Sequence, residues 1–155
     1  MMKNKTMSIK QELFSKCQAF VDAKLNTIKT TIAELQQALN SETKSTAGDK
    51  HETGRAMLQL EREKVGQQLA EVQKTNAVLA KIDIEKTGNI IGLGSVVYTN
   101  KANYFIAISV GEVKVDDTMF YAISPLSPIG QSLLGKTVGD VVVFREQQLR
   151  ITTIV

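Results

Sequence analysis

Two acids three positions apart, Asp49 and Glu52, sit in the stretch STAGDKHETGRAM between two long segments that read as helix. Lys44, Lys50 and Arg55 surround them, and His51 lies between them. Two chemistries suit that arrangement. Asp-x-x-Glu at a helix start is a capping-box variant, in which the first acid accepts from an amide one turn in and the second reaches back. Both acids also complement the positive end of the helix macrodipole. The other chemistry is metal binding: two carboxylates at an exposed helix end can hold part of a divalent cation's shell. Mg²⁺ is often bound by one or two carboxylates plus ligands from elsewhere, so such a pair works when a partner supplies the rest. The two roles can coexist. Lys44, Lys50, Arg55, Arg62 and Lys64 form either a solvated helix face or, beside metal-holding acids, a surface suited to a phosphate chain.

The other reactive residues give less. His51 is the only histidine, and a lone imidazole without a second His or Cys nearby reads as a solvated side chain. Cys17, the only cysteine, falls on an apolar helix face far from His51, so a buried structural thiol fits it better than a nucleophile. One Cys and one His cannot build a thiolase-like condensing site. The glycines of GNIIGLGSVV precede a strand pattern, whereas a phosphate-binding loop needs a helix N-terminus behind it. They read as turn glycines.

The elements that must position these residues have two different periods. Residues 9–42 lack Gly and Pro, and Val21, Ile28 and Leu35 recur seven apart, with Leu25, Ile32 and Leu39 in a second row beside them. Leu13, Cys17 and Phe20 continue that face toward the N-terminus. After the connector, Leu58, Val65, Val72 and Leu79 repeat the spacing, with Leu69 and Ile82 filling in. Such rows predict coiled-coil packing, and two of them joined by a short polar turn predict an antiparallel hairpin. An arm of this length reaches about 50 Å and places residues 45–56 at its tip.

Beyond residue 90 the runs SVVYT, YFIAISV, MFYAI, DVVVF and LRITTIV are β-branched, aromatic and separated by Gly, Asn and Asp. Between the third and fourth, Ser127 suits an N-cap, Pro128 the first helical position and Gly135 the C-terminal stop. The predicted fold is α+β: a coiled-coil hairpin over 1–84, then a small antiparallel β domain with one short helix over 85–155, linked by DIEKTGNIIG.

At 155 residues, 43% of them hydrophobic, the chain suits one globular domain or two small ones. The opening residues lack a secretory h-region, no apolar run approaches a bilayer span, and a single cysteine excludes an internal disulfide framework. The chain therefore reads as cytoplasmic, with no membrane partner. The net charge of +3 is too small to declare a nucleic-acid binder. That excess lies wholly in residues 1–86, making this half the surface that faces something acidic. A hairpin that satisfies its own seam favours a monomer.

SPIGQSLLGKTVGDVVVF, residues 127–144, closely resembles a stretch in the C-terminal domain of the GreA/GreB transcript cleavage factors. GLGSVV, residues 92–97, resembles that domain's first strand, and GDKHE, residues 48–52, resembles the family's acidic tip. The resemblance implies an FKBP-like C-terminal domain. It also implies a factor whose coiled coil enters the secondary channel of bacterial RNA polymerase. Asp49 and Glu52 would there help hold a second Mg²⁺ and an attacking water, so that the polymerase hydrolyses the 3′ end of a backtracked transcript. On that reading the chain has no catalytic site of its own and binds no cofactor stably. Lys44, Lys50, His51, Arg55 and Arg62 would contact RNA or polymerase. Ser127, Pro128, Ile129, Gly135, Lys136, Gly139 and Asp140 would dock on the polymerase rim. The tip departs from the family pattern Glu-Asn-x-Glu-Tyr, reading Glu52-Thr53-Gly54-Arg55-Ala56, and Lys50 and His51 replace a small apolar and a hydroxyl residue. That leaves open a regulator that occupies the channel without stimulating cleavage, or a coiled-coil protein with another partner.

Overall fold

The computed structural model describes residues 8–44 and 49–155; for 43–44 and 49–52 it describes helix backbone and not side chains. Helix α1 spans Ile9–Lys44 and α2 spans Asp49–Ala80. Ser8 and Gln11 open α1 as a reciprocal capping box. The Ser8 hydroxyl accepts from the Gln11 N–H at 3.2 Å, and Gln11 Oε1 accepts from the Ser8 N–H at 3.0 Å. By contact the chain divides into two compact units: Val21–Asn76, and the chain up to Phe20 together with Ala77–Val155.

Within Val21–Asn76 the two helices are antiparallel, since Glu42 near the end of α1 lies against Gly54 near the start of α2. Val21, Leu39 and Val65 are buried between them. The rest of the heptad rows, from Leu25 and Ile28 to Leu69 and Val72, are half-buried. Half-burial is what a two-helix seam gives, because each knob is covered by one neighbouring helix only.

The other unit is built on six strands: β1 Val96–Thr99, β2 Asn103–Ile106, β3 Gly111–Val115, β4 Thr118–Ile123, β5 Val141–Phe144 and β6 Gln147–Ile154. Their order across the sheet is β3-β4-β2-β1-β6-β5. Two features differ from the sequence reading. GEVKV forms a strand, and β2 pairs parallel to β4, so the sheet is only mostly antiparallel. The cause is one extra reversal: β3 turns back through Asp116-Asp117 into β4, which then runs beside β2 in the same direction.

The short helix α3, Pro128–Leu133, starts and stops where the sequence places it. It covers a sheet face on which Ile91, Val97, Ile106, Leu133, Val142, Leu149 and Ile151 form one buried cluster. The opposite face buries Val96, Phe105, Val113, Val115, Phe120 and Ala122. Both sides of the sheet are therefore covered, and the same unit buries Leu13, Cys17 and Leu79 from the helix ends. Phe105 and Phe120 are each fully buried, worth roughly 2–3 kcal/mol apiece relative to exposure.

Candidate functional site

Helix α2 opens with Asp49 itself, and Glu52 follows in the same turn. Both acids thus stand at the positive end of the helix dipole. The sequence reading ran the connector to residue 56, but the helix takes in 49–56, Gly54 included. A mid-helix glycine costs about 1 kcal/mol against alanine. Glu42 packs beside it, its Oε2 3.4 Å from where a Cβ would stand, which is an ordinary contact.

The side chains of Lys44, Asp49, Lys50, His51 and Glu52 lie outside the described residues, so the backbone carries what can be said of them. Asp49 and Glu52 are one i,i+3 pair, neighbours on a helix surface. Their carboxylates are hard oxygen donors of the kind Mg²⁺ takes, and two of them leave most of its octahedron to other groups. The donor set fits a shared Mg²⁺ site and not a self-sufficient one. Among the described residues no group of three or more His, Cys, Asp or Glu is arranged to hold a metal. Arg55 is half-buried one position past Gly54. Arg62 lies about 15 Å further along the helix than Glu52, its Nη1 folded across Gly66.

The motif of residues 127–140 is a set of local folding devices. Ser127 caps α3: its hydroxyl accepts from the Gly130 N–H at 3.1 Å and donates to the Ser124 carbonyl at 2.6 Å. Pro128 fills the first helical position, where no N–H is needed. Ile129 packs against the buried cluster. Gly135, at φ +81°, donates to the Ile91 carbonyl at 2.9 Å, and the Lys136 carbonyl accepts from Ile91 at 2.9 Å. This exchange pins the linker to the end of α3. Gly139 donates to Ile151, while Asp140 Oδ2 accepts from the Thr137 N–H at 2.8 Å and its hydroxyl at 3.1 Å. Of the seven residues read as a docking surface, Pro128, Gly135, Lys136 and Gly139 are exposed. The most exposed large apolar side chains in and around the motif are instead Leu126 at 79%, Val143 at 65% and Val138 at 55%.

Two residues escaped the sequence reading. Gly130 is buried in α3, where an added Cβ would run into the Ser124 carbonyl oxygen. Lys10 is only 5% exposed, with its Nζ donating to the Lys86 carbonyl at 2.8 Å. Its signal was its register: Lys10 stands three before Leu13 and seven before Cys17, a cation on the buried row.

A family model described as "Transcription elongation factor, GreA/GreB, C-term" matches residues 88–155, which hold the whole sheet and α3. The C-terminal part of the chain is therefore similar to the C-terminal domain of those factors. The match spans less than half of the chain and likens this part of it to the GreA/GreB family. Among solved structures, GreA factor homolog 1 (Gfh1) of Thermus thermophilus is similar at 23% identity. That match covers 88% of this chain and 92% of the other, with a TM-score of 0.36. No curated protein matches. No described helix is long and apolar enough to cross a membrane.

Proposed function

We propose that the chain is an elongation factor that binds RNA polymerase, presents the start of α2 to the polymerase active site through the secondary channel, and stimulates cleavage of backtracked RNA. The observation that carries this reading is the family match over residues 88–155, joined to a helical pair with two acids at the head of its second helix. Asp49 and Glu52 are the groups that would hold Mg²⁺, with polymerase supplying the other ligands. Bound there, the ion stabilises the attacking and leaving oxygens of phosphodiester hydrolysis. Lys44, Lys50, His51, Arg55 and Arg62 would face the transcript and the channel wall. Leu126, Val138 and Val143, beside Pro128 and Lys136, are the exposed side chains suited to docking on the polymerase. The chemistry belongs to the polymerase, the factor acts as a monomer, and it works in the cytoplasm.

Arg55 favours a second reading. A cation three positions after Glu52, in place of the family's acid, favours occupying the channel over feeding a second metal. A stalled, backtracked elongation complex with 3′-labelled RNA separates the two. Wild type should release short 3′ fragments, while Asp49→Ala/Glu52→Ala should bind equally and release none, with unchanged circular dichroism. Binding without cleavage by wild type selects the second reading, and absence of binding by both rejects the two together.

A further inference from the structure

The sheet unit contains a cleft of about 500 Å³ between the start of α1, the end of α2 and the linker. Among the described residues three lysines, Lys10, Lys81 and Lys86, border it against one acid, Asp83. Val155 borders it too, and counting a carboxylate there still leaves the cleft positive.

Lys10 is the residue that needs explaining. Burying an ammonium is costly unless an opposite charge and its full set of acceptors come with it. Lys10 is nine-tenths buried, yet among the described residues its one direct partner is the neutral Lys86 carbonyl, which satisfies one of three N–H donors. Asp83 attracts it from a distance, but no ion pair joins the two among the described residues. Burial outweighs that attraction and pulls the Lys10 pKa down. The linker wall adds donors of its own. Thr87, Gly88 and Ile90 are exposed, and among the described residues their backbone N–H groups meet no acceptor in the chain, which leaves them free to donate to water or to a ligand. Gly88 and Gly92 carry no side chain to obstruct the approach.

We infer that this cleft binds a small anionic ligand, a phosphate or carboxylate group held by Lys10, Lys81 and Lys86 with linker amides completing the cradle. Its volume falls in the range of ordinary small-molecule sites, large enough for a ligand bearing that group. The inference does not require the polymerase reading.

The test uses the full ¹⁵N-labelled chain at constant ionic strength, titrated separately with pyrophosphate, citrate and, as control, chloride. Saturable shifts at the Thr87, Gly88 and Ile90 amides are expected, with binding weakened about tenfold or more in Lys81→Gln/Lys86→Gln. Both of those lysines are exposed, so that variant should keep its fold. Saturation by pyrophosphate alone assigns a phosphate ligand, and by citrate alone a carboxylate. Lys10→Met should abolish saturation; if it fails to fold, the double variant decides. Shifts that merely follow chloride, or an undiminished response in the double variant, would overturn the inference.

Discussion

Gly130 and Ser127 govern one helix start by opposite means, one through an absent atom and the other through a hydroxyl. Ser127→Ala removes the acceptor of the Gly130 N–H and the bond to Ser124, a loss of about 1 kcal/mol. Gly130→Ala keeps every hydrogen bond but drives a methyl into the Ser124 carbonyl, with Pro125 Cα only 3.0 Å away. Backbone cannot swing aside as a flexible side chain can, so this overpacking should cost the more, about 2–3 kcal/mol. Urea melts of the two variants check the order; a Gly130→Ala protein as stable as Ser127→Ala would refute it. Cys17 permits a second prediction at this scale. Burial pushes its thiol from the usual 9.0 up to about 11, so the folded chain holds this proton more firmly than the unfolded one. Stability from the thiol is then fully present below pH 9 and is lost as pH rises through 11, by about 2–3 kcal/mol in all. Lys10, whose pKa is lowered, acts with opposite sign as pH approaches 10.5. Comparing wild type with Cys17→Ala isolates the thiol: the variant should start less stable at neutral pH and decline less steeply between 9 and 11.

At the scale of elements, both two-residue hairpin turns lack the glycine such turns favour, and one is built from Arg and Glu, which disfavour positive φ. Asp116-Asp117 joins β3 to β4 with φ of 49° and 65°, and Arg145-Glu146 joins β5 to β6 with φ of 50° and 69°. Two consecutive positive φ values make a type I′ turn, for which Asn-Gly is the favoured pair. Arg145→Asn/Glu146→Gly should therefore raise the stability of the sheet unit by about 1 kcal/mol, even though it removes the stacking of Arg145 on the Phe144 ring. A thermal melt that moves down would show the stacking to be worth more than the strain. These turns also explain what the sequence withheld. The helices were legible because seven-residue rows such as Val21, Ile28 and Leu35 survive any tertiary context, and α3 because Ser127, Pro128 and Gly135 punctuate it locally. GEVKV was not legible, since two of its five residues are charged and an Asp-Asp turn lacks the glycine that marks a hairpin. The parallel pairing of β2 with β4 was not legible either, because nothing within either strand encodes which neighbour it meets. At the candidate site, the spacing of Asp49 and Glu52 could be read directly. The burial of Lys10 was signalled only by its register on the buried row, and its partner could not be read, because the Lys86 carbonyl lies 76 residues away in sequence.

For the whole molecule, the uneven division of apolar burial sets the order in which the chain opens. Among the described residues of Val21–Asn76 only Val21, Leu39 and Val65 are buried, on helices whose other seam residues stay half-exposed. The sheet unit buries a cluster on one face and six more side chains on the other. Helices without such burial are marginal, and cooperative units with few buried contacts open at lower free energy than the global transition. Native-state hydrogen exchange should accordingly show the amides of 21–76 exchanging through a sub-global opening, while Val97, Ile106, Leu149 and Ile151 exchange only on global unfolding. Val65→Ala, costing about 2 kcal/mol, should lower protection across 21–76 and leave the sheet amides unchanged. Equal loss in both units would mean that the two fold as one. The distinction bears on function, because the head of α2 belongs to the weaker unit. A seam variant that leaves the sheet intact should keep whatever binding the sheet unit provides and lose the placement of Asp49 and Glu52. If the proposed function holds, polymerase binding and cleavage measured on Val65→Ala should fall apart from one another, cleavage dropping first. If instead they fall together, the helical pair contributes to attachment as well as to delivery of the acids.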